Sequence, residues 1–106
     1  MIISMKIGLL GATGPAGKAL AARLASVGCE VIVGSRSKYR AMEIRDEIVS
    51  EWPDKELQIT AAENVDAAKA DLIVIATPWD AAATTARSVA DQLHGKIVVC
   101  MSNAIA

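Results

Sequence analysis

Short, largely apolar runs recur between helix-like segments, and this alternation limits the possible fold more than any other feature of the chain. "KIGLL" (6–10), "VIVG" (31–34), "DLIVIA" (71–76) and "KIVVCM" (96–101) are each bounded by turn or polar residues. Runs with apolar side chains on both strand faces need cover on both faces, the situation of a parallel sheet enclosed by helices. "LQITA" (57–61) alternates instead, and predicts a strand nearer the sheet edge.

The intervening segments carry helical signals. Pro15 to Val27 repeats Ala16, Leu20 and Leu24 at four-residue spacing and stops at Gly28. Lys38 to Trp52 places Ala41, Ile44, Ile48 and Trp52 on one face and ends at Pro53. Residues 63–70 predict one or two helical turns. Asp80 is a plausible N-cap for a helix from Ala81 to Leu93, closed by Gly95. The expected fold class is α/β, a Rossmann-like doubly wound parallel sheet with strand order 3-2-1-4-5. Residues 1–106 read as a single domain without linker, repeat or low-complexity stretch. Such sheets normally continue to a sixth strand and a substrate domain. The chain is therefore expected to be the front part of a longer protein, truncated after strand 5 and inactive by itself. Met5 is an alternative start.

Composition removes several function classes. The chain is 53% hydrophobic and 22% charged, with net charge -1 and no Phe. That is globular, without the basic excess or stacking aromatics of a nucleic-acid binder. No run is long enough to span a membrane, and glycines, Pro15 and Lys18 interrupt any signal-like segment. Cys29 and Cys100 have no metal-ligand spacing and read as small buried hydrophobes in a reducing compartment, hence a cytoplasmic protein. The single histidine, His94, reads as a helix-end residue.

The stretch "GATGPAG" (11–17) follows the first strand run and opens the first helix. Gly11 suits the tight turn, Gly14 a close backbone approach to a pyrophosphate, and Gly17 close packing of helix on sheet. Pro15 fits the first helical position, where its missing N–H costs nothing. The remaining amides and the helix dipole favour an anion. A P-loop is excluded, because Ala12 and Ala19 stand where it needs Gly and Ser or Thr.

After the second strand run, NAD-selective folds carry an acid. Here the chain reads "VGSRSKYR" (33–40), with no acid. Ser35, Arg36 and Arg40 predict a 2′-phosphate site and hence NADP, with Arg36 bonding the phosphate and stacking on adenine. The alternative is a solvated basic helix start. In "ATPWDAA" (76–82), Thr77 and Pro78 are expected to line the nicotinamide half of the cleft and Trp79 to cover it, unless Pro78 and Trp79 only start a helix. Ser102 or Asn103, in "MSNA" (101–104), is placed to touch the nicotinamide ribose or amide. No nucleophile–base pair, carboxylate dyad or metal cluster stands out, which suits hydride transfer.

"IGLLGATGPAGKALAARLASVGCEVIVGSRS", "ADLIVIATPWDAA" and "GKIVVCMSNAI" together resemble the N-terminal domain of NADPH-dependent reductases of coenzyme F-420, an 8-hydroxy-5-deazaflavin. The resemblance implies hydride transfer between NADP(H) and the deazaflavin. It also implies homodimerisation through a C-terminal part absent here. By position, Thr13, Gly14, Pro15 and Ala16 would hold the pyrophosphate. Ser35, Arg36 and Arg40 would hold the 2′-phosphate, with Trp79 and Asn103 near the nicotinamide. Pro15 and Ala16 stand where polar residues are common in the family, so their contacts would be backbone only. Arg40 replaces an expected lysine and keeps the charge. The alternatives are an NADP-linked reductase of an imine, keto acid or metal, and a non-catalytic nucleotide-sensing module.

Overall fold

The computed structural model describes residues 5–101. In chain order the elements are β1 (Lys6–Leu10), α1 (Pro15–Ser26), β2 (Glu30–Ser35), α2 (Lys38–Ser50), β3 (Ile59–Glu63), α3 (Asn64–Ala67), β4 (Leu72–Ile75), α4 (Trp79–Ser88), α5 (Ala90–Leu93) and β5 (Ile97–Cys100). The strands form one parallel sheet in the order β3-β2-β1-β4-β5, as the sequence predicts. In register, Leu9 lies between Val33 and Val74.

Side chains alternate across the strands, so the sheet feeds two cores. Ile7, Leu9, Val31, Val33 and Val74 enter the core with the alanines of α1 and with Ile44 and Ile48 of α2. Leu10, Ile73 and Ile75 enter the other, with Ala67 and Ala68 beside them and Ala82 and Val89 beyond. The sheet is thus covered on both faces, and burying each large aliphatic side chain contributes roughly 1.5–3 kcal/mol. The short α3 sits almost on the sheet backbone. A Cβ at Gly8 would lie 2.1 Å from the Ala67 carbonyl oxygen, and one at Gly34 would lie 2.9 Å from the Ala67 Cβ.

Several local expectations shift. α1 buries Gly17, Ala21, Ala22 and Ala25, whereas Leu20 and Leu24 pack from the side and Ala16 is exposed. Small residues, not the leucines, face the strands because they let the helix approach closely. α2 stops at Ser50, two residues before Trp52, which precedes proline and is disfavoured in helical geometry. β3 begins at Ile59 rather than Leu57, because the Ile59 N–H turns back to the Leu57 carbonyl at 3.0 Å. Asp80 is not a cap. Pro78 holds the N-cap position of α4 and Asp80 lies in the first turn. The expected single helix to Leu93 breaks at Val89, whose buried side chain plugs the second core.

β5 is the exposed edge, with Ile97 71% and Val99 46% accessible. Cys100 is exposed and Cys29 half-buried, so the expectation of two buried thiols does not hold; both are free. His94 is the C-cap of α5, a helix-end residue as expected.

Candidate functional site

β1 and β4 are neighbours, but the chain leaves them for opposite faces, to α1 and to α4. A crevice opens between the two departures, the usual ligand position of a doubly wound sheet. It has two adjoining parts. One, of about 460 Å³, runs from Gly11 and Thr13 past Thr77 and Pro78 to Ser35, Arg36 and Arg40. The other, of about 390 Å³, is walled by Thr13 to Gly17, by Thr77, Pro78 and Trp79, and by Met101. Shared walls at Thr13, Thr77 and Pro78 make them one elongated trough. Each part falls in the range of roughly 300–1,000 Å³ common to small-molecule sites. Every site residue expected from the sequence lines this trough except Ser102 and Asn103, which lie outside the described residues.

The glycine loop is built as its sequence requires. Gly11 has φ 69°, and a Cβ there would stand 2.2 Å from the Thr77 Cγ2. Only glycine relieves both the left-handed backbone and that collision. The Gly11 N–H donates to the Gly34 carbonyl at 2.9 Å, tying the loop to the end of β2. A Cβ at Gly17 would press on Ala12 and Ala76 at 3.1–3.3 Å, so this glycine seats the helix. Gly14 caps α1 without a side-chain hydrogen bond, and Pro15 follows at the first helical position. A Cβ on Gly14 would meet nothing within 4 Å. The space in front of it is open, and the amides of Gly14 and Ala16 have no acceptor among the described residues. Free amides at the start of a twelve-residue helix attract an anion.

Charge gathers at the other end. Ser35 is buried to 9% exposure. Ser37 caps α2, its Oγ accepting from the Arg40 N–H at 3.5 Å. Arg36 is exposed and has no hydrogen bond or ion pair among the described residues. Arg40 is already shared, 3.5 Å from a Glu43 carboxylate oxygen and 3.8 Å from one of Glu47. Glu47 also receives Lys18 from α1. That hydrogen bond and charge, with a smaller contribution from Arg40, hold the Glu47 carboxyl below its ordinary value of 4.5. The two arginines are therefore unequal: one guanidinium is uncommitted, the other divides its charge between carboxylates.

Trp79 is 59% exposed at the first position of α4 and borders the second part of the trough. It thus both starts the helix and faces the cleft. Among the described residues no group of His, Cys, Asp and Glu could hold a metal. Sequence reasoning missed Asn64 and the hydroxyl face of α4, where Thr84, Thr85 and Ser88 line the first part. The Thr84–Ser88 spacing of four was a legible sign of one polar helix face. Asn64 had no such sign, since its place depends on how closely α3 sits on Gly8 and Gly34.

A parallel doubly wound sheet with a glycine loop opening α1 and a trough across its switch point defines a Rossmann-like dinucleotide-binding domain. Within that class the chain belongs to the family "NADP oxidoreductase coenzyme F420-dependent", whose model matches residues 6–104. It is 38% identical over 98 residues to the F420-dependent NADP reductase of Methanocaldococcus jannaschii, covering 90% of this chain and 44% of that protein. It is 34% identical over 99 residues to the enzyme of the same name from Methanothermobacter thermautotrophicus, covering 92% and 43%. The chain thus spans less than half the length of these relatives. A crystal structure from Arthrobacter sp. FB24, assigned as an F420-dependent NADP reductase, superposes with TM-score 0.78 at 31% identity, covering 94% of this chain and 46% of that one. Synechocystis arogenate dehydrogenase shares the fold at TM-score 0.72 and 24% identity, covering 96% of this chain and 35% of that one.

Proposed function

We propose that the chain is the NADP(H)-binding domain of an oxidoreductase that moves a hydride between NADP(H) and the deazaflavin coenzyme F420. The observation that carries the cofactor assignment is the end of β2. No acid stands there to take a ribose 2′-hydroxyl, and an uncommitted Arg36 shares the trough with Ser35. The residues fit the cofactor on two further counts: the open space in front of Gly14, and the free amides at the start of α1. Those amides would hold the pyrophosphate, with Thr13, Gly14, Pro15 and Ala16 around it and Gly11 and Gly17 shaping the loop. Ser35, Arg36 and Arg40 would hold the 2′-phosphate, Arg36 by its planar fork. Thr77, Pro78 and Trp79 would border the nicotinamide, with Asn103 beside them.

When bound, NADP(H) supplies the hydride chemistry, and the work left to the chain is orientation. The second substrate is read from the family and from the names of the relatives. The same reading takes residues 1–106 as one nucleotide-binding domain of a cytoplasmic homodimer. No helix among the described residues is long and apolar enough to cross a membrane.

The test is spectroscopic. The full-length protein mixed with NADPH and oxidised deazaflavin should bleach the deazaflavin's visible absorbance, with NADH much less effective. Absence of bleaching alongside brisk reduction of an imine or keto acid would replace the deazaflavin. Equal use of NADH would remove the 2′-phosphate site.

A further inference from the structure

We propose that Asn64 is a further ligand-contacting residue of the cofactor site, its carboxamide holding the 2′-phosphorylated ribose together with Ser35 and Arg36. This rests on the assignment of NADP(H) to the trough. Asn64 is one of two buried polar or charged residues among those described; the other is Ser35, and both line the same part of the trough. The residue is 8% exposed, and its Oδ1 is buried with no hydrogen-bond partner among the described residues. Buried side-chain polar atoms are nearly always paired, so an unpaired one on a residue of the trough wall calls for a partner that the described residues do not supply. Asn64 makes no side-chain cap for α3, whose N-cap is Glu63. The residue thus has no evident structural task that uses its amide.

The fold fixes where that amide stands. α3 follows β3 directly, and β3 pairs with β2 so that Glu63 lies opposite Ser35. Asn64 is therefore one residue beyond the position that faces Ser35. A Cβ at Gly34 would lie 2.8 Å from the Asn64 Oδ1. Glycine at 34 lets the carboxamide tuck against the end of β2, next to the strand that carries Ser35 and leads to Arg36. Glu63, the neighbouring acid, does not line the trough. Half a turn about the last side-chain bond exchanges oxygen and nitrogen, so the carboxamide can present a donor to phosphate or an acceptor to a ribose hydroxyl.

The experiment titrates the full-length protein with adenosine 2′,5′-bisphosphate and with 5′-AMP by calorimetry, comparing wild type, Asn64→Ala and Asn64→Asp. Asn64→Asp keeps the shape and replaces the donor with a carboxylate, and thermal melts establish that each variant is folded. The expected result is roughly a tenfold loss for the bisphosphate in Asn64→Ala, from one lost hydrogen bond to a charged group. A larger loss is expected in Asn64→Asp, where two anions meet, with 5′-AMP much less affected by either. Wild type that prefers the bisphosphate, with folded variants that keep its affinity within twofold, overturns the role of Asn64 alone. Equal losses for both probes overturn the assignment to the phosphorylated ribose. Wild type that does not distinguish the probes overturns the NADP assignment itself.

Discussion

Replacing Arg36 by alanine should weaken NADP(H) binding while leaving both stability and NAD(H) binding nearly unchanged. Arg36 is exposed and uncommitted, so its truncation removes no internal contact and orphans no buried partner. A surface change of this kind alters stability by at most about 0.5 kcal/mol. With a phosphate in place, the guanidinium contributes a charge-assisted bond of roughly 1.5–3 kcal/mol net. At about 1.4 kcal/mol per tenfold, the loss in NADP affinity is roughly ten- to a hundredfold. Arg40→Ala should cost less, because Arg40 already spends part of its charge on Glu43 and Glu47. Calorimetric titration of wild type and both variants with NADP and NAD measures this. Equal losses for the two cofactors in Arg36→Ala would mean that the residue stacks on adenine without discriminating. Unchanged NADP affinity, or a larger loss in Arg40→Ala, would refute the ranking.

Three further outcomes are expected. Gly8→Ala should destabilise the domain by roughly 1–3 kcal/mol in urea unfolding, since its Cβ would meet a backbone carbonyl at 2.1 Å that cannot turn aside. The preference for NADP over NAD should shrink as pH falls below about 6, where a phosphate monoester takes up its second proton, and should weaken with added salt. Glu47 titrates lower in the folded protein than in the unfolded chain, so its stabilisation is complete above pH 4.5 and is lost as pH falls through the lower folded value. Thermal melts of Glu47→Gln should therefore be flatter than wild type below pH 4.5, a modest effect because the pair is exposed to solvent.

Much of this architecture was readable because it follows from local chemistry. Apolar runs at 6–10, 31–34 and 71–76 are strands because their both-sided hydrophobicity has nowhere else to go, and right-handed crossovers then order the sheet. Gly11, Pro15 and Gly17 mark the turn from β1 into α1 because each meets a backbone requirement that few residues satisfy. The missing acid after β2 was equally visible, since it is a matter of residue type at a counted position. The helix face, the β5 exposure and Asn64 were not. Leu20 and Leu24 have the right period, yet the alanines face the sheet, because the distance between helix and strands rather than periodicity selects side-chain size. β5 has the composition of a covered strand and falls at the edge as the predicted order requires, yet its side chains are exposed, because exposure depends on what packs over an edge strand and not on its composition. Arg36 and Arg40 are the same residue type four positions apart. They differ because α1 and α2 pack side by side: Lys18 and Arg40 converge on Glu47, whereas Arg36 makes no ion pair among the described residues.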